Sequence, residues 1–531
     1  MPTCLPNFCI KLYLVISEMR KADWIILAWL TVFAAAVLFF VSPDSYFCAP
    51  HHRIDSAWFF ICGKAWMNGY VPYVDFTDSK GPVLWLIYGL GYLIDHTSYV
   101  GMYWIASLWY GLTFFFTFRI ARLFLDDNKK ALICAFLMAL AYFNSWFHVE
   151  VRAEDFSLLF MVISLYEVCR LYYGETADDK ALLKTCGILG ACFSALLLIK
   201  FNLAVMQAAF ILCVLYYLIR EKQSVVKPLL CGFGGFVVVC TPFVIYFLAS
   251  GCFSAFLHEY FVKTVQTVNG EGASLTAIIW SYLREWRDLE KADLGALLLF
   301  LIIGGLSFTR GKTGPYRWMP LLVSLYFFAL SITHHIEVSY LYYFNICSFL
   351  LIFLVLELVS YLNDSSLKLV VTSAVFSFII VASLNYVREI YNVAFFNDTK
   401  ERREYYMAAH IMSQVKSPKL INAYWIEHGY GMPAGVLPAG KYWSAQLMMT
   451  SDMMREHERL IQSGEADFII VPSKEMLEKE LVSENRLAEM GYKEYLRLHT
   501  FTELVLFSKW DNLDTTDFVC PTNREILFKK R

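Results

Sequence analysis

The sequence has 531 residues, of which 58% are hydrophobic and only 17% are charged. Because soluble proteins carry about 25% charged residues, this composition excludes an ordinary soluble enzyme. The formal net charge of −2 argues against a nucleic-acid partner, since proteins that bind nucleic acid present strongly basic surfaces.

The hydrophobic residues are concentrated in eleven segments. Each approaches the roughly 20 residues that an α-helix needs to cross a bilayer. The segments lie at residues 24–41, 101–117, 131–147, 156–172, 182–199, 203–219, 228–249, 294–308, 319–333, 342–361 and 369–384. The sequence therefore predicts an α-helical polytopic membrane protein with about eleven transmembrane helices.

Lysine and arginine are concentrated in every second loop between these segments, for example at residues 119–130 and 310–317. Short cytoplasmic loops carry an excess of these residues, so the alternation predicts a cytoplasmic N-terminus. The outer side then includes three notable loops, at residues 42–100, 148–155 and 250–293, and the C-terminal region.

The apolar stretch Pro82–Ile94 lies inside the first outer loop. Counting it as a transmembrane helix would break the alternation of basic loops, and it is too short to cross a bilayer alone. We therefore interpret it as an interfacial helix that lies on the outer face.

The C-terminal region is polar and mixed in character. The predicted strands lie at residues 419–425, 466–471, 495–499 and 503–508, and the predicted helices at residues 452–463 and 474–481. Alternating strands and helices are typical of an α/β domain. The sequence thus predicts a transmembrane domain at residues 1–387 and a soluble outer α/β domain at residues 388–531, which we expect to help admit an acceptor.

The first outer loop carries the strongest functional signal. Arg53 and Asp55 are followed by a stretch that contains Tyr73, Asp75 and Lys80. Carboxylates at a membrane surface can act as bases or bind a divalent cation, and a lysine beside them can bind a phosphate. The alternative is a solvated loop whose charges have no chemical role.

This loop resembles the first outer loop of the GT-C glycosyltransferases, and especially bacterial relatives of the aminoarabinose transferase and protein O-mannosyltransferase groups. Those families share an acidic residue after the first span, a "G-x-x-P-Y-x-D" stretch and a "K-G-P" or "K-P-P" turn. The matching residues here are Asp55, Gly69, Pro72, Tyr73, Asp75, Lys80, Gly81 and Pro82. The aminoarabinose transferases have "K-P-P" where this chain has Lys80-Gly-Pro, which leaves the donor sugar and the acceptor open.

Two acids lie at the end of the second outer loop. Glu154 and Asp155 occupy the place where the family has an acidic residue at the start of a span, and the sequence does not separate them. The alternative is a pair of acids that cap a helix N-terminus. Further along, Lys200 and Asn202 resemble a "K-x-N" feature of the family, whereas the alternative is a lysine that snorkels to the membrane surface.

The third outer loop adds two candidate phosphate ligands, His258 and Lys263, which with Glu259 could share one helical face. A basic face above the membrane can bind a phosphate group. The alternative is an ordinary amphipathic surface helix.

The resemblance implies an inverting glycosyltransferase of the bacterial inner (cytoplasmic) membrane. Its donor would be a polyprenyl-phosphate sugar, and its acceptor a lipid, glycan or protein on the periplasmic side. Asp55 would act as the base, Glu154 or Asp155 would assist it, and Arg53, Tyr73, Asp75, Lys80, Lys200, His258 and Lys263 would bind substrate. The sequence indicates no definite cofactor, and Asp55 and the second-loop acids could together bind a divalent metal.

Two other classes of protein remain open. A lipid or sugar transporter or flippase would also need many spans, but it should show charges or helix breaks deep within them. A non-catalytic scaffold for envelope assembly would place no demand on Asp55.

Overall fold

The computed structural model describes residues 21–42, 55–96, 98–143, 151–174, 179–269, 276, 341–363, 365–366, 368–370, 373, 400–423, 431, 434–444, 450–472, 484–499 and 503–515. The chain divides into two compact units. The first unit comprises residues 1–41, 106–246 and 274–383, and the second comprises residues 42–105, 247–273 and 384–531.

Most of the described residues are helical. The α-helices are α1 Lys21–Val41, α2 Asp55–Met67, α3 Pro82–Ile94, α4 Val100–Phe124, α5 Asn128–Leu137, α6 Ala139–Tyr142, α7 Ala153–Tyr173, α8 Asp179–Ile199, α9 Gln207–Arg220, α10 Val226–Ala249, α11 Phe253–Leu257, α12 Thr264–Asn269, α13 Ile352–Tyr361, α14 Lys400–Ser413, α15 Ser451–Gln462 and α16 Glu484–Glu489. Phe201–Met206 and Leu341–Leu351 are 3-10 helices, and His258–Lys263 is a π-helix.

Among the described residues, five helical segments are long and apolar enough to cross a membrane. They are Lys21–Phe39, Ala153–Tyr173, Asp179–Ile199, Phe201–Arg220 and Val226–Ala249. Each coincides with one of the predicted transmembrane segments, which confirms the polytopic character of the chain.

Other predicted spans have a different outcome. The second lies within the continuous helix α4, whereas the third is interrupted at Met138, between α5 and α6. The segment predicted at residues 342–361 begins as a 3-10 helix and ends as α13. The spans predicted at residues 294–308 and 319–333 lie outside the described residues, as does nearly all of 369–384.

Glycines bring two helices of the first unit into close contact. A Cβ atom on Gly190 of α8 would lie 1.9 Å from the carbonyl oxygen of Gly232 in α10. In the same way, a Cβ atom on Gly235 would lie 1.9 Å from the carbonyl oxygen of Gly187. Helices in a bilayer commonly associate through such contacts between small residues. Lipid is as apolar as the helix surface, so close packing, not the hydrophobic effect, drives the association.

In the second unit, the first outer loop forms a hairpin of two helices, α2 and α3. Pro82 is the first residue of α3, where its missing N–H costs nothing and its fixed φ favours a helix. The helix at Pro82–Ile94 has the predicted bounds, while its interfacial location stays a prediction. The two helices approach closely because a Cβ atom on Gly63 would lie 2.5 Å from the backbone nitrogen of Gly89.

The C-terminal part of the second unit contains one five-stranded sheet in the order β2-β1-β3-β5-β4. Its strands are β1 Lys419–Asn422, β2 Leu437–Pro438, β3 Phe468–Pro472, β4 Lys493–His499 and β5 Glu503–Ser508. β1 pairs in parallel with β2 and β3, and β5 pairs antiparallel with β3 and β4. Ile421, Ile469 and Val505 of the sheet share a buried core with Leu460 of α15. The predicted α/β character is therefore confirmed.

Candidate functional site

The helix α2 begins at Asp55, the residue predicted to be the catalytic base. Its side chain is partly buried at the first turn, where the helix dipole stabilises a negative charge. The following residues of α2, Ser56 to Trp66, are buried. The sequence therefore fixes Asp55 at the end of a helix that is firmly packed within its unit.

The loop between α2 and α3 is organised around Tyr73. This residue has a φ of +68°, is completely buried, and donates its hydroxyl hydrogen bond to the carbonyl oxygen of Lys80 at 3.1 Å. Its ring packs against Trp85 at 4.8 Å and against Phe256 at 5.2 Å. Because Tyr73 is buried and bonded to the Lys80 carbonyl, it positions Lys80, and its predicted contact with substrate stays a prediction.

Lys80 lies in a polar setting that leaves its ammonium group with donor capacity. Its Nζ donates to the hydroxyl of Ser79 at 3.0 Å and lies 3.7 Å from Oδ2 of Asp78. The same Nζ lies 5.4 Å from the centre of the Phe59 ring. Since an ammonium group has three N–H donors, Lys80 can still bind a phosphate oxygen.

Asp78 lies two residues before Lys80 in the first outer loop and was not predicted as a site residue. It is buried, and its Oδ1 accepts hydrogen bonds from the backbone N–H and the hydroxyl of Ser79 at 2.6 and 3.2 Å. Its Oδ2 is buried without a hydrogen-bond partner among the described residues. Because Asp78 and Lys80 are only two residues apart in the sequence, their contact could have been predicted from the sequence.

Asp75 stabilises its own loop. Its Oδ2 accepts a hydrogen bond from the backbone N–H of Val71 at 2.6 Å, and its backbone N–H donates to the carbonyl oxygen of Val71 at 2.9 Å. The side chain also lines a cavity in the second unit. Asp75 thus has both a structural role and one face toward solvent.

The third outer loop separates its predicted residues. In the π-helix His258–Lys263, Glu259 and Lys263 are buried, whereas the His258 side chain is 54% exposed. Lys263 pairs with Asp452 and lies 3.3 Å from the hydroxyl of Thr450. The Nδ1 atom of His258 lies 3.5 Å from Oε1 of Glu259, but its exposed side chain makes His258 the more accessible of the two predicted phosphate ligands.

Glu259 is bound from the C-terminal part of the same unit. Its Oε1 lies 2.5 Å from Nζ of Lys441, and its Oε2 accepts a hydrogen bond from the hydroxyl of Tyr442 at 2.8 Å. Burial and the neighbouring Glu259 carboxylate raise the pKa of Tyr442 well above its ordinary value. A buried carboxylate with two partners of this kind is a firm link between the third outer loop and the C-terminal sequence.

In the first unit, Glu154 and Asp155 have different partners. Glu154 forms a buried ion pair with Lys200, with 2.7 Å between Oε1 and Nζ. Asp155 accepts hydrogen bonds from the hydroxyl of Tyr110 at 2.5 Å and from the backbone N–H of Arg152 at 2.9 Å. Asp155 therefore caps α7, while Glu154 is the acid that holds a charged partner.

The cation paired with Glu154 comes from a distant part of the sequence. Lys200 follows α8 and is 46 residues away from Glu154. The same contact makes Lys200 a buried partner of a carboxylate, so it is not a lysine that only extends to the membrane surface.

Some predicted features remain without structural detail. Arg53 lies outside the described residues. Within the described part of the chain, no group of three or more His, Cys, Asp or Glu side chains is arranged to hold a metal ion.

Comparisons with known proteins agree with the predicted resemblance. Residues 79–246 match the family model for dolichyl-phosphate-mannose-protein mannosyltransferase, a segment that includes Lys80 and both second-loop acids. No curated protein sequence matches this chain.

Two crystal structures of ArnT from Cupriavidus metallidurans share the fold. The structure bound to undecaprenyl phosphate has a TM-score of 0.52 at 13% identity, and the apo structure has a TM-score of 0.51 at 12% identity. Each match covers 93% of this chain and 99% of the ArnT chain. The S. cerevisiae protein O-mannosyltransferase Pmt1-Pmt2 complex bound to the sugar donor matches 45% of this chain and 35% of its own, at 17% identity and a TM-score of only 0.33.

The ArnT-like fold along nearly the whole chain and the family match over residues 79–246 agree with the resemblance found in the first outer loop. The chain is a polytopic membrane protein with an ArnT-like fold.

Proposed function

We propose that this protein is an inverting glycosyltransferase that moves a sugar from a polyprenyl-phosphate carrier to an envelope acceptor. The observation that carries the proposal is the ArnT-like fold over 93% of the chain, since that ArnT was crystallised with undecaprenyl phosphate. The family match over residues 79–246 supports the same class of reaction.

In this proposal Asp55 takes the proton from the acceptor hydroxyl as the hydroxyl oxygen attacks the anomeric carbon. The bond from that carbon to the phosphate oxygen breaks, and the carrier phosphate leaves with the electron pair. Direct displacement inverts the anomeric centre. A positioned base of this kind typically contributes about 100- to 10,000-fold to the rate.

In this proposal Lys80 binds the leaving phosphate. Within the described part of the chain its ammonium group has unused donors, and Tyr73 and Ser79 hold its backbone and side chain by hydrogen bonds. A charge that is already in place stabilises the negative charge that develops on the leaving group. Arg53 and His258 are further candidates for the same phosphate.

We assign the protein to the bacterial cytoplasmic membrane. The alternation of basic loops supports an orientation with the first and third outer loops and the C-terminal residues on the periplasmic side. The acceptor reaches Asp55 from that side. Lipid, glycan and protein acceptors are all compatible with the family.

Binding of undecaprenyl phosphate tests the donor assignment. We would measure it by native mass spectrometry on the detergent-solubilised protein and on Lys80→Met, which keeps the apolar stem against Phe59. Loss of a hydrogen bond from a charged donor typically costs about 1.5–3 kcal/mol, so we expect affinity to fall roughly 10- to 100-fold.

Lys129→Ala is the control, because Lys129 is an exposed lysine in the first turn of α5. It should bind the lipid as the unmutated protein does. If the unmutated protein does not bind undecaprenyl phosphate, the proposed function fails. If Lys80→Met binds as tightly as Lys129→Ala, only the role of Lys80 fails.

A further inference from the structure

The second unit contains an open cavity of about 550 Å³ at the C-terminal end of α2. One wall comes from the first outer loop and includes Asn68, Tyr70 and Asp75. The other wall comes from the C-terminal region and includes Lys419, Glu456 and Arg459. This volume is within the range of small-molecule binding sites, which is about 300–1,000 Å³.

Several polar groups in this cleft keep hydrogen-bonding capacity within the described part of the chain. Among the described residues, neither Nζ of Lys419 nor the hydroxyl of Tyr70 has a hydrogen-bond partner, and Asp75 uses only its Oδ2. Glu456 and Arg459 form a bidentate pair, with both N···O distances 2.7 Å. The cleft therefore presents free donors and acceptors beside one another.

The cleft is lined by charges of both signs. Three carboxylates, Asp75, Glu456 and Glu465, and three cations, Lys419, Lys441 and Arg459, line it, and Lys441 is also paired with Glu259. A phosphate or a metal ion would be favoured by an excess of one sign, and an acyl chain by a predominantly apolar lining. A neutral polyhydroxylated ligand fits better, because each hydroxyl group can both donate and accept.

The position of the cleft relative to Asp55 limits which part of a substrate it could hold. Helix α2 starts at Asp55 and ends at Met67, next to Asn68 in the cleft wall. At a rise of 1.5 Å per residue, these 13 residues separate Asp55 from the cleft by about 20 Å. The cleft is thus remote from the proposed base.

We propose that this cleft binds a neutral glycan portion of the acceptor, distant from the hydroxyl that reacts. The inference rests on the proposed glycosyltransferase function and narrows the acceptor class to an extended carbohydrate. Asn68, Lys419 and Arg459 hydrogen-bond the sugar hydroxyls. The ring of Tyr70 supplies an apolar surface with a polar tip.

Saturation-transfer difference NMR on the full chain in detergent tests this assignment, with cellobiose, chitobiose and mannobiose as probes. We expect saturable binding of at least one disaccharide by the unmutated protein. Lys419→Met and Arg459→Met should each weaken it by about tenfold or more, as expected when a charged hydrogen-bond donor is removed. Inorganic phosphate should not displace the sugar.

Arg497→Met is the matched control. Arg497 forms the same bidentate pair with a glutamate three residues away, Glu494, but it lies on β4 and does not line the cleft. Sugar binding should be unchanged in this variant. The proposal is overturned if no disaccharide binds, if phosphate displaces the sugar, or if Arg497→Met weakens binding as much as Arg459→Met.

Undecaprenyl phosphate binding on the same samples separates the two proposals. We expect Lys419→Met and Arg459→Met to bind this lipid like the unmutated protein. If the protein binds the lipid but no disaccharide, only the proposal of a glycan site in the cleft is refuted. A protein that binds a disaccharide in the cleft but no lipid would refute the donor assignment and leave the cleft as a glycan site.

Discussion

At the scale of single residues, the ion pair between Glu154 and Lys200 is the clearest addition to the predicted chemistry. Both side chains are buried, and removal of one member of a buried pair leaves the other charge without compensation. We therefore expect Glu154→Gln to lose about 3–5 kcal/mol of stability, measured by thermal unfolding in detergent.

The double variant Glu154→Gln with Lys200→Met separates structure from chemistry. Without either charge, most of the lost stability should return. If Glu154 or Lys200 also contacts the donor, the double variant should not transfer sugar even though it is folded. A double variant that recovers full activity along with stability would show that the pair only holds the fold.

Lys64 of α2 offers a test based on pH. It is buried, its Nζ lies 5.9 Å from the centre of the Tyr92 ring, and no described carboxylate forms an ion pair with it. Burial lowers its pKa from 10.5 to about 8. Below pH 8 Lys64 is charged in both states, but only in the folded protein is the charge buried. This burial lowers the free energy of unfolding by roughly 3 kcal/mol.

Between pH 8 and about 10.5 the unfolded state binds more protons than the folded state at this site, so stability rises with pH. Lys64→Met should unfold at a higher temperature than the unmutated protein at pH 7, and the difference should shrink by pH 9.5. Lys64→Arg, which stays charged, should be less stable than the methionine variant at both values. A Lys64→Met advantage that does not change with pH would contradict this explanation.

At the scale of helices, the contact between α8 and α10 depends on residues without a side chain. Gly190→Ala places a Cβ atom where the carbonyl oxygen of Gly232 lies, and such overpacking typically costs about 1–3 kcal/mol. Gly234→Ala is the control, since a Cβ atom there meets nothing within 4 Å. We expect a lower unfolding temperature only for Gly190→Ala, and equal unfolding temperatures would refute the close contact.

The sequence predicted the helices and strands that depend on local patterns. Continuous apolar runs gave the five long helices, and Gly81 followed by Pro82 marked the start of α3. The alternation of strands and helices predicted β1, β3, β4 and β5 to within a few residues. β2, with only two residues, has too short a pattern to recognise.

Hydrophobicity alone did not predict every helix correctly. The third predicted span is interrupted at Met138, and the segment at residues 258–263 is a π-helix. Both features depend on backbone hydrogen bonding rather than on the spacing of apolar residues. They therefore leave no mark in the 3.6-residue period that predicts an α-helix.

At the scale of the whole molecule, contacts between distant parts of the sequence decide what the candidate residues do. Glu259 pairs with Lys441, which is 182 residues later, and Lys263 pairs with Asp452, which is 189 residues later. No local pattern predicts such pairs. The sequence could thus name the charged residues of the outer loops, but it could not tell which of them are already neutralised by a partner.

The central claim is that the chain transfers sugar from a polyprenyl-phosphate donor with Asp55 as the base. The most direct measurement is the rate of sugar transfer from a purified polyprenyl-phosphate sugar by the unmutated protein and by Asp55→Asn, with thermal unfolding as the control for folding. Asparagine keeps the volume and removes the charge, so the variant should fold normally and lose about 100- to 10,000-fold in rate. Near-normal turnover by a folded Asp55→Asn would contradict this account.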